Sequence, residues 1–397
     1  MTAGSPRFRR VTAAVAMLSC AAVRAEAPVA APTAAAVEQA ELDSAVARGI
    51  AFLVGTQNGD GSFGSPRRTK DLNIWAGVGS HHAFRAATTA LCVQALLEED
   101  DGSAAVDRAL DRGSAWLLAE LPQVRRDDRT LIYNVWAHAY GIQALAALHG
   151  RRAGDAAARG RIEELIREQF DRLARYESAE GGWGYYDFGA GTQRPNSSSQ
   201  SFVNAAVLVA LHDARAIGVD PPEPLVRRAV EATAAQMLPD FSYLYGNYTR
   251  WQPRRPINRP AGSLGRSQAC NLALRLWGEP RITDAVLEEW LDRLAARNGW
   301  LDLGRKRPVP HESFFQVAGY FFYFGHYYAA RVVAELPASA QPRHQAALAR
   351  IMLDVQDADG SWWDYPLYDY HQQYGTGYAL MTLHRCRVVD DPVRHGD

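Results

Sequence analysis

The string Gln57-Asn58-Gly59-Asp60-Gly61-Ser62-Phe63 returns near the other end of the chain as Gln356-Asp357-Ala358-Asp359-Gly360-Ser361-Trp362. A chain built from one repeated unit has few options: its units stack into a solenoid, a propeller or a closed ring. Aligned on their Gly and aromatic ends, the copies bring Phe63, Trp183, Trp300 and Trp362 into register, 120, 117 and 62 residues apart. These intervals imply a period of about 60 residues, with degenerate copies near Gln123 and Tyr243.

Two kinds of helix alternate around these turns. Segments 86–97, 133–148, 201–211, 265–277, 321–333 and 375–383 are rich in Ala and Leu, with small residues at short spacing that let helices approach closely. Segments 45–54, 107–118, 161–176, 225–237, 283–296 and 345–355 carry charge on one face and apolar residues on the other. Six such pairs are best satisfied by two concentric layers, apolar helices inside and amphipathic ones facing water. The fold expected is therefore all-α, an α6/α6 toroid or double ring of six helical hairpins, with an open solenoid as the competing geometry. In each turn the Gln is expected to satisfy backbone groups at a helix end and the aromatic to staple one hairpin to the next.

With 47% hydrophobic and 22% charged residues among 397, the chain has ample material for a core. Length alone predicts two domains, whereas the repeat predicts one ring over residues 41–388, followed by a tail at 389–397. Residues 1–25 have the form of an export signal: Arg7, Arg9 and Arg10 precede an apolar run, and Val23-Arg24-Ala25 is an acceptable cleavage site. The expected location is periplasmic or secreted. Met17-Leu18-Ser19-Cys20 loosely resembles a lipoprotein cleavage box, so membrane association through a lipid on Cys20 is the alternative to soluble export. Residues 26–40 are rich in Ala and Pro and read as a tether. Removing the signal takes away four Arg and no acid, moving the formal charge from −1 to −5, and nothing favours nucleic acid as a partner. Cys92, Cys270 and Cys386 are scattered and form no disulfide framework.

The segment Arg48-Gly49-x-x-Phe52-Leu53-x-x-x-Gln57-x-x-x-Gly61-x-Phe63 resembles the QW repeat of squalene-hopene and oxidosqualene cyclases, with Phe in place of the final Trp. Tyr374-Gly375-Thr376-Gly377-Tyr378-Ala379-Leu380 is similar to a helix start shared by those cyclases and the β subunits of protein prenyltransferases. The resemblance implies an α/α toroid around a central cavity, lined by aromatics where it holds isoprenoid, and isomerase or transferase chemistry if the chain is catalytic. Aromatic faces stabilise migrating cations in such cavities. On that footing Tyr185, Tyr186, Tyr245, Phe315, His326, Trp363 and Tyr374 are the candidate ligand-binding residues.

The standard chemistries of that superfamily are missing. No Asp-x-Asp-Asp acid is present, and Asp127-Asp128, Asp100-Asp101 and Asp390-Asp391 lie in charged, surface-like segments. The zinc set of the prenyltransferases is not formed: Cys270 lacks its Asp, and His371 alone occupies a ligand-like place. Neither a metal nor a cofactor is expected.

In such rings the loops that enter the inner helices gather at one mouth. Four stretches there hold polar residues: Asp71 with His81-His82, Tyr185-Tyr186-Asp187, His311-Glu312, and Asp364 through Tyr374. Asp364, Asp369 and His371 put carboxylate and imidazole in one short loop, an acid/base group if they converge, and Asp187 is the fourth catalytic candidate, or else a turn cap. Arg254, Arg255 and Arg259, near Tyr248 and Trp251, form a basic insertion able to hold an oxyanion. Three functions stay open: a toroid that binds an apolar or isoprenoid-like small molecule, a scaffold for a peptide or protein, and a carbohydrate-active lyase or hydrolase.

Overall fold

A computed structural model describes residues 37–387 except 72, 153, 188–194, 196–198 and 313–315. The export signal, Cys20, most of the tether, Phe315 and the tail at 389–397 lie outside the described residues.

The inner layer consists of α2 (Val78–Glu98), α4 (Asn134–Arg151), α6 (Ser201–Ala216), α8 (Pro260–Leu276), α11 (Phe322–Ala334) and α13 (His371–Cys386). The outer layer consists of α1 (Gln39–Thr56), α3 (Ala104–Glu120), α5 (Ala156–Tyr176), α7 (Glu223–Ala234), α9 (Asp284–Arg297) and α12 (Gln341–Asp354), while α10 (Gly299–Asp302) is a single turn. Each inner helix packs on the next, and α13 returns to α2, so the ring is closed. The fold is an α/α toroid of six hairpins.

Small residues set the inner spacing. A Cβ on Gly325 would lie 2.6 Å from Gly265 Cα, so α8 and α11 touch backbone to backbone. The outer helices follow their charge pattern; α5 buries only Ile162, Leu165, Ile166, Gln169, Phe170 and Leu173.

The repeated turn is a device for gripping the next hairpin. Gln57 Nε2 donates to Gly61 O (2.9 Å) within its own turn and to Ala109 O (2.8 Å) on α3. Gln356 Nε2 does the same to Gly360 O (3.0 Å) and to Ala45 O (2.9 Å) on α1, so the sixth turn holds the first helix. The third copy substitutes Glu177, whose carboxylate takes Arg228 Nε and Nη2 at 2.7 Å each. Gly61, Gly181 and Gly360 all have φ near +90° (93°, 87° and 88°) and press on the carbonyls of Arg112, Arg228 and Arg48. Phe63, Trp183 and Trp362 are wholly buried beneath them.

One turn assignment changes. Trp300 is not a turn aromatic: Gly299-Trp300 begins α10, and a Cβ added at Gly299 would meet no atom of a neighbouring segment within 4 Å. The copy near Tyr243 is present, but Phe241 takes the glycine position at φ 60°, with Asp240 Oδ1 accepting from Ser242 N and Oγ as Asp60 does from Ser62. Asp127 is also not a solvated acid. It accepts from Gly77 N (2.7 Å), Gly79 N (3.0 Å) and Ser80 Oγ (2.7 Å), closing the N-terminus of α2, where a carboxylate complements the free N–H groups.

Cys92, Cys270 and Cys386 are buried free thiols. Among the described residues no helix is long and apolar enough to cross a membrane.

Candidate functional site

A cavity of about 840 Å³ opens among the N-terminal halves of the inner helices and the loops that enter them. Its floor is aromatic and aliphatic: Leu91 from α2, Tyr140 from α4, Phe324 from α11 and Tyr378 from α13, all nearly inaccessible. The Tyr378 hydroxyl bonds that of Tyr140 across the ring, so two distant helices close the bottom together. Higher up stand Tyr133, Trp136, Tyr185, Phe202, Tyr245 and Phe321, and at the open end Tyr248, Arg255 and Pro310. No carboxylate is among the described lining residues, and none of these hold a grouping of metal ligands.

The tyrosine hydroxyls are wired to one another. Tyr133 donates to Tyr186 at 2.6 Å. On the other side, Tyr185 bonds Tyr245, Tyr245 approaches Tyr320 at 3.3 Å, and Tyr320 reaches His311 Nε2 at 2.9 Å. His311 Nδ1 faces Gln316 O at 2.7 Å, an acceptor only, so Nδ1 carries the proton and Nε2 accepts from Tyr320. Burial lowers the imidazole's pKa below its ordinary value, favouring this neutral form. His311 and Gln316 both have positive φ (63° and 54°), unusual for side chains with a Cβ and a sign that the surroundings hold this geometry.

Behind this wall lies Arg266 on α8, 1% exposed. Its guanidinium is 5.5 Å from the Tyr245 ring and 5.8 Å from the Phe321 ring. It donates to the carbonyls of Gly262 (2.9 Å), Tyr243 (3.0 Å) and Ile257. Burial brings its pKa down to about 10, which leaves it charged at neutral pH.

The four catalytic candidates do not converge. Asp364 is fully buried, accepting from Tyr374 Oη (2.8 Å) and Tyr323 N (3.1 Å), and burial raises its pKa to about 7. It reaches the cavity wall through Tyr374, which lines it. Asp369 turns outward to Arg67 (2.9 Å) and Ser65 Oγ (2.9 Å). His371 starts α13 with Nδ1 on Tyr368 O (2.7 Å) and its ring edge-on to Trp363 (4.9 Å). Asp187 is buried in an ion pair with Arg126 at 3.0 Å.

Of the ligand-binding candidates, Tyr185, Tyr186, Tyr245 and Tyr374 line the cavity. His326 and Trp363 are not in its wall: His326 is buried with Nδ1 on Phe322 O (2.7 Å), and Trp363 lies under Lys306 Nζ (4.5 Å). Of the adjacent histidines, His81 packs edge-on to Tyr368 (4.5 Å) and His82 pairs with Glu120 (3.2 Å). In the basic insertion Arg255 reaches the cavity, whereas Arg259 Nε bonds Arg254 O (3.0 Å). Missed in the sequence are Tyr140 and Arg266. For Arg266 the available signal is a cation inside an otherwise apolar inner helix.

No family model matches the sequence, and none of the curated proteins does. Among solved structures, the chain is similar to the type II terpene cyclase MstE from Scytonema, in complex with geranylgeranyl dihydroxybenzoate, at 15% identity and a TM-score of 0.50, over 87% of this chain and 97% of that one. It is similar to the GH76A α-1,6-mannanase from Salegentibacter sp. at 10% identity and a TM-score of 0.55, over 87% and 98% of the two chains. A family 76 glycoside hydrolase from a bovine Bacteroides thetaiotaomicron strain follows at 10% identity and 0.52, over 87% and 77%. At these identities the likeness is one of fold, and the fold shared by all three is the α/α toroid.

Proposed function

We propose that this chain binds an elongated apolar ligand, isoprenoid-like in shape, within the ring. The observation that carries the reading is the cavity itself: about 840 Å³ with an aromatic and aliphatic wall, inside the range of roughly 300–1,000 Å³ typical of small-molecule sites. Burying a chain there removes apolar surface from water on both sides, worth about 25 cal/mol per Å². The likeness to a cyclase that holds a geranylgeranyl substrate is consistent with this. Protonation-initiated cyclisation would require an acid at the wall, and no carboxyl is among the described lining residues; Asp364 lies behind Tyr374, whose hydroxyl donates to it. Binding is therefore the function proposed. The basic, apolar amino-terminal segment supports its taking place outside the cytoplasm, with or without a lipid anchor. Titration of the purified protein with geranylgeraniol, followed by intrinsic fluorescence from Trp136 in the wall, should show saturable binding that Phe324→Arg abolishes without unfolding. Absence of binding, with no lipid extractable from the native protein, would remove the proposal.

A second reading has its own observation. Tyr320 and His311, 2.9 Å apart, share a wall with Arg255, a set able to abstract a proton beside a sugar carboxylate, and two of the similar folds are glycoside hydrolases. Release of ultraviolet-absorbing unsaturated sugars from acidic polysaccharides, lost in Tyr320→Phe, would favour it over the first.

A further inference from the structure

Arginines on the inner helices are normally neutralised. Arg85 pairs with Asp60 (2.7 Å), Arg331 with Asp213 (2.7 Å) and Arg385 with Glu98 (2.9 Å). Arg266 breaks the pattern. Its contacts are three neutral carbonyls, its Nε has no hydrogen-bond partner, and no carboxylate of the described residues is within ion-pair distance. A charge so deeply desolvated without a counter-ion is costly, and an anion nearby offsets that cost.

The surroundings locate where such an anion would sit. Arg266 backs Tyr245, whose ring lies 5.3 Å from that of His311 and 6.4 Å from that of Tyr248. Arg255 lines the same end, and Glu312 next to His311 is exposed to solvent. This end of the cavity thus holds two guanidiniums, one lining it and one just behind, several rotatable phenol hydroxyls and a neutral imidazole. The opposite end, at Leu91, Phe324, Tyr140 and Tyr378, is closed and largely apolar. The cavity is polarised along its length.

Building on the apolar-ligand reading, we propose that the ligand is an anionic amphiphile: a carboxylate head held between Arg255 and the Tyr245, Tyr248 and Tyr320 hydroxyls, with Arg266 behind, and an apolar chain running to the Tyr140–Tyr378 floor. A cationic head would meet two positive charges and no carboxylate among the described lining residues, and a neutral alcohol would leave Arg266 uncompensated.

The test compares three probes with one chain, geranylgeranoic acid, geranylgeraniol and geranylgeranylamine, and adds geranylgeranyl monophosphate as a second anion, each titrated into the full protein. The acid is expected to bind about ten-fold tighter than the alcohol, the amine weakest, with the acid's advantage shrinking at high salt. Arg255→Gln, at an exposed position, should bring the acid's affinity close to the alcohol's. Arg266→Met should do the same. If it fails to fold, Tyr245→Phe with Arg255→Gln carries the test. Equal binding of all three probes overturns the charged head and leaves the apolar cavity standing, whereas binding of none overturns both. Tighter binding of geranylgeranyl monophosphate than of the acid overturns the carboxylate assignment.

Discussion

The carboxyl of Asp364 is held near pH 7 by burial, despite hydrogen bonds from Tyr374 and the Tyr323 N–H that favour its ionised form. In the unfolded chain it titrates near 3.9, so the folded state keeps a proton that the unfolded state loses as pH rises between these values. Its contribution is therefore most favourable below about pH 4 and declines until about pH 7. His138 and His326 act in the opposite sense: burial lowers them to about 3 and about 4, so their stability contribution is lost as pH falls below about 6.5. The clean readout is the difference between wild type and Asp364→Asn in urea unfolding. It should shift in the variant's favour by on the order of 1–4 kcal/mol from pH 4 to pH 7. A difference independent of pH would show that Asp364 is ionised throughout. Adjacency in sequence gives little guidance at this scale. Asp369 and His371 are two residues apart, yet the first faces Arg67 on the outside and the second turns under Trp363 as α13 begins.

Elements repeat in sequence where their geometry repeats, and this is why the hairpins are legible. The turn glycine must adopt φ near +90° against a carbonyl, the Gln must bridge two backbones, and the aromatic must fill one pocket. Where another residue meets the same requirement, as Phe241 does at φ 60°, the copy is hidden; where Gly precedes Trp without that requirement, as at Trp300, a false copy results. A matched pair of substitutions separates the two cases. Gly61→Ala places a Cβ 2.5 Å from Arg112 O at φ 93° and should cost on the order of 1–3 kcal/mol by thermal or urea unfolding. Gly299→Ala meets nothing within 4 Å in a helical turn and should be neutral or stabilising by up to about 1 kcal/mol. Helix starts are less legible than helix identities: α2 runs from Val78, well before the Ala-rich stretch that announces it, because Asp127 from a distant loop caps it.

For the whole molecule, the decisive property is closure, which also explains why the cavity wall is hard to foresee. Its residues run from Ile74 to Tyr378, and only the completed ring brings Tyr378 to Tyr140 or Arg266 behind Tyr245. Closure predicts that Gln356→Ala costs as much as Gln57→Ala, about 1–2 kcal/mol each, because both lose a hydrogen bond within the turn and one to the next outer helix. In an open stack the last Gln would grip nothing, and its replacement would be silent in chemical denaturation. The joint between Gln356 and Ala45 links residues 311 positions apart, and Gly49 on α1 abuts Trp362 and Leu380 there. During synthesis α1 leaves the ribosome long before α12 and α13 exist, so one flank of the first hairpin waits uncovered until they are made. Any chain that stops short of α12 and α13 therefore carries an unsealed apolar edge, and the synthesis of those two helices decides whether it becomes a native molecule or a client of chaperones.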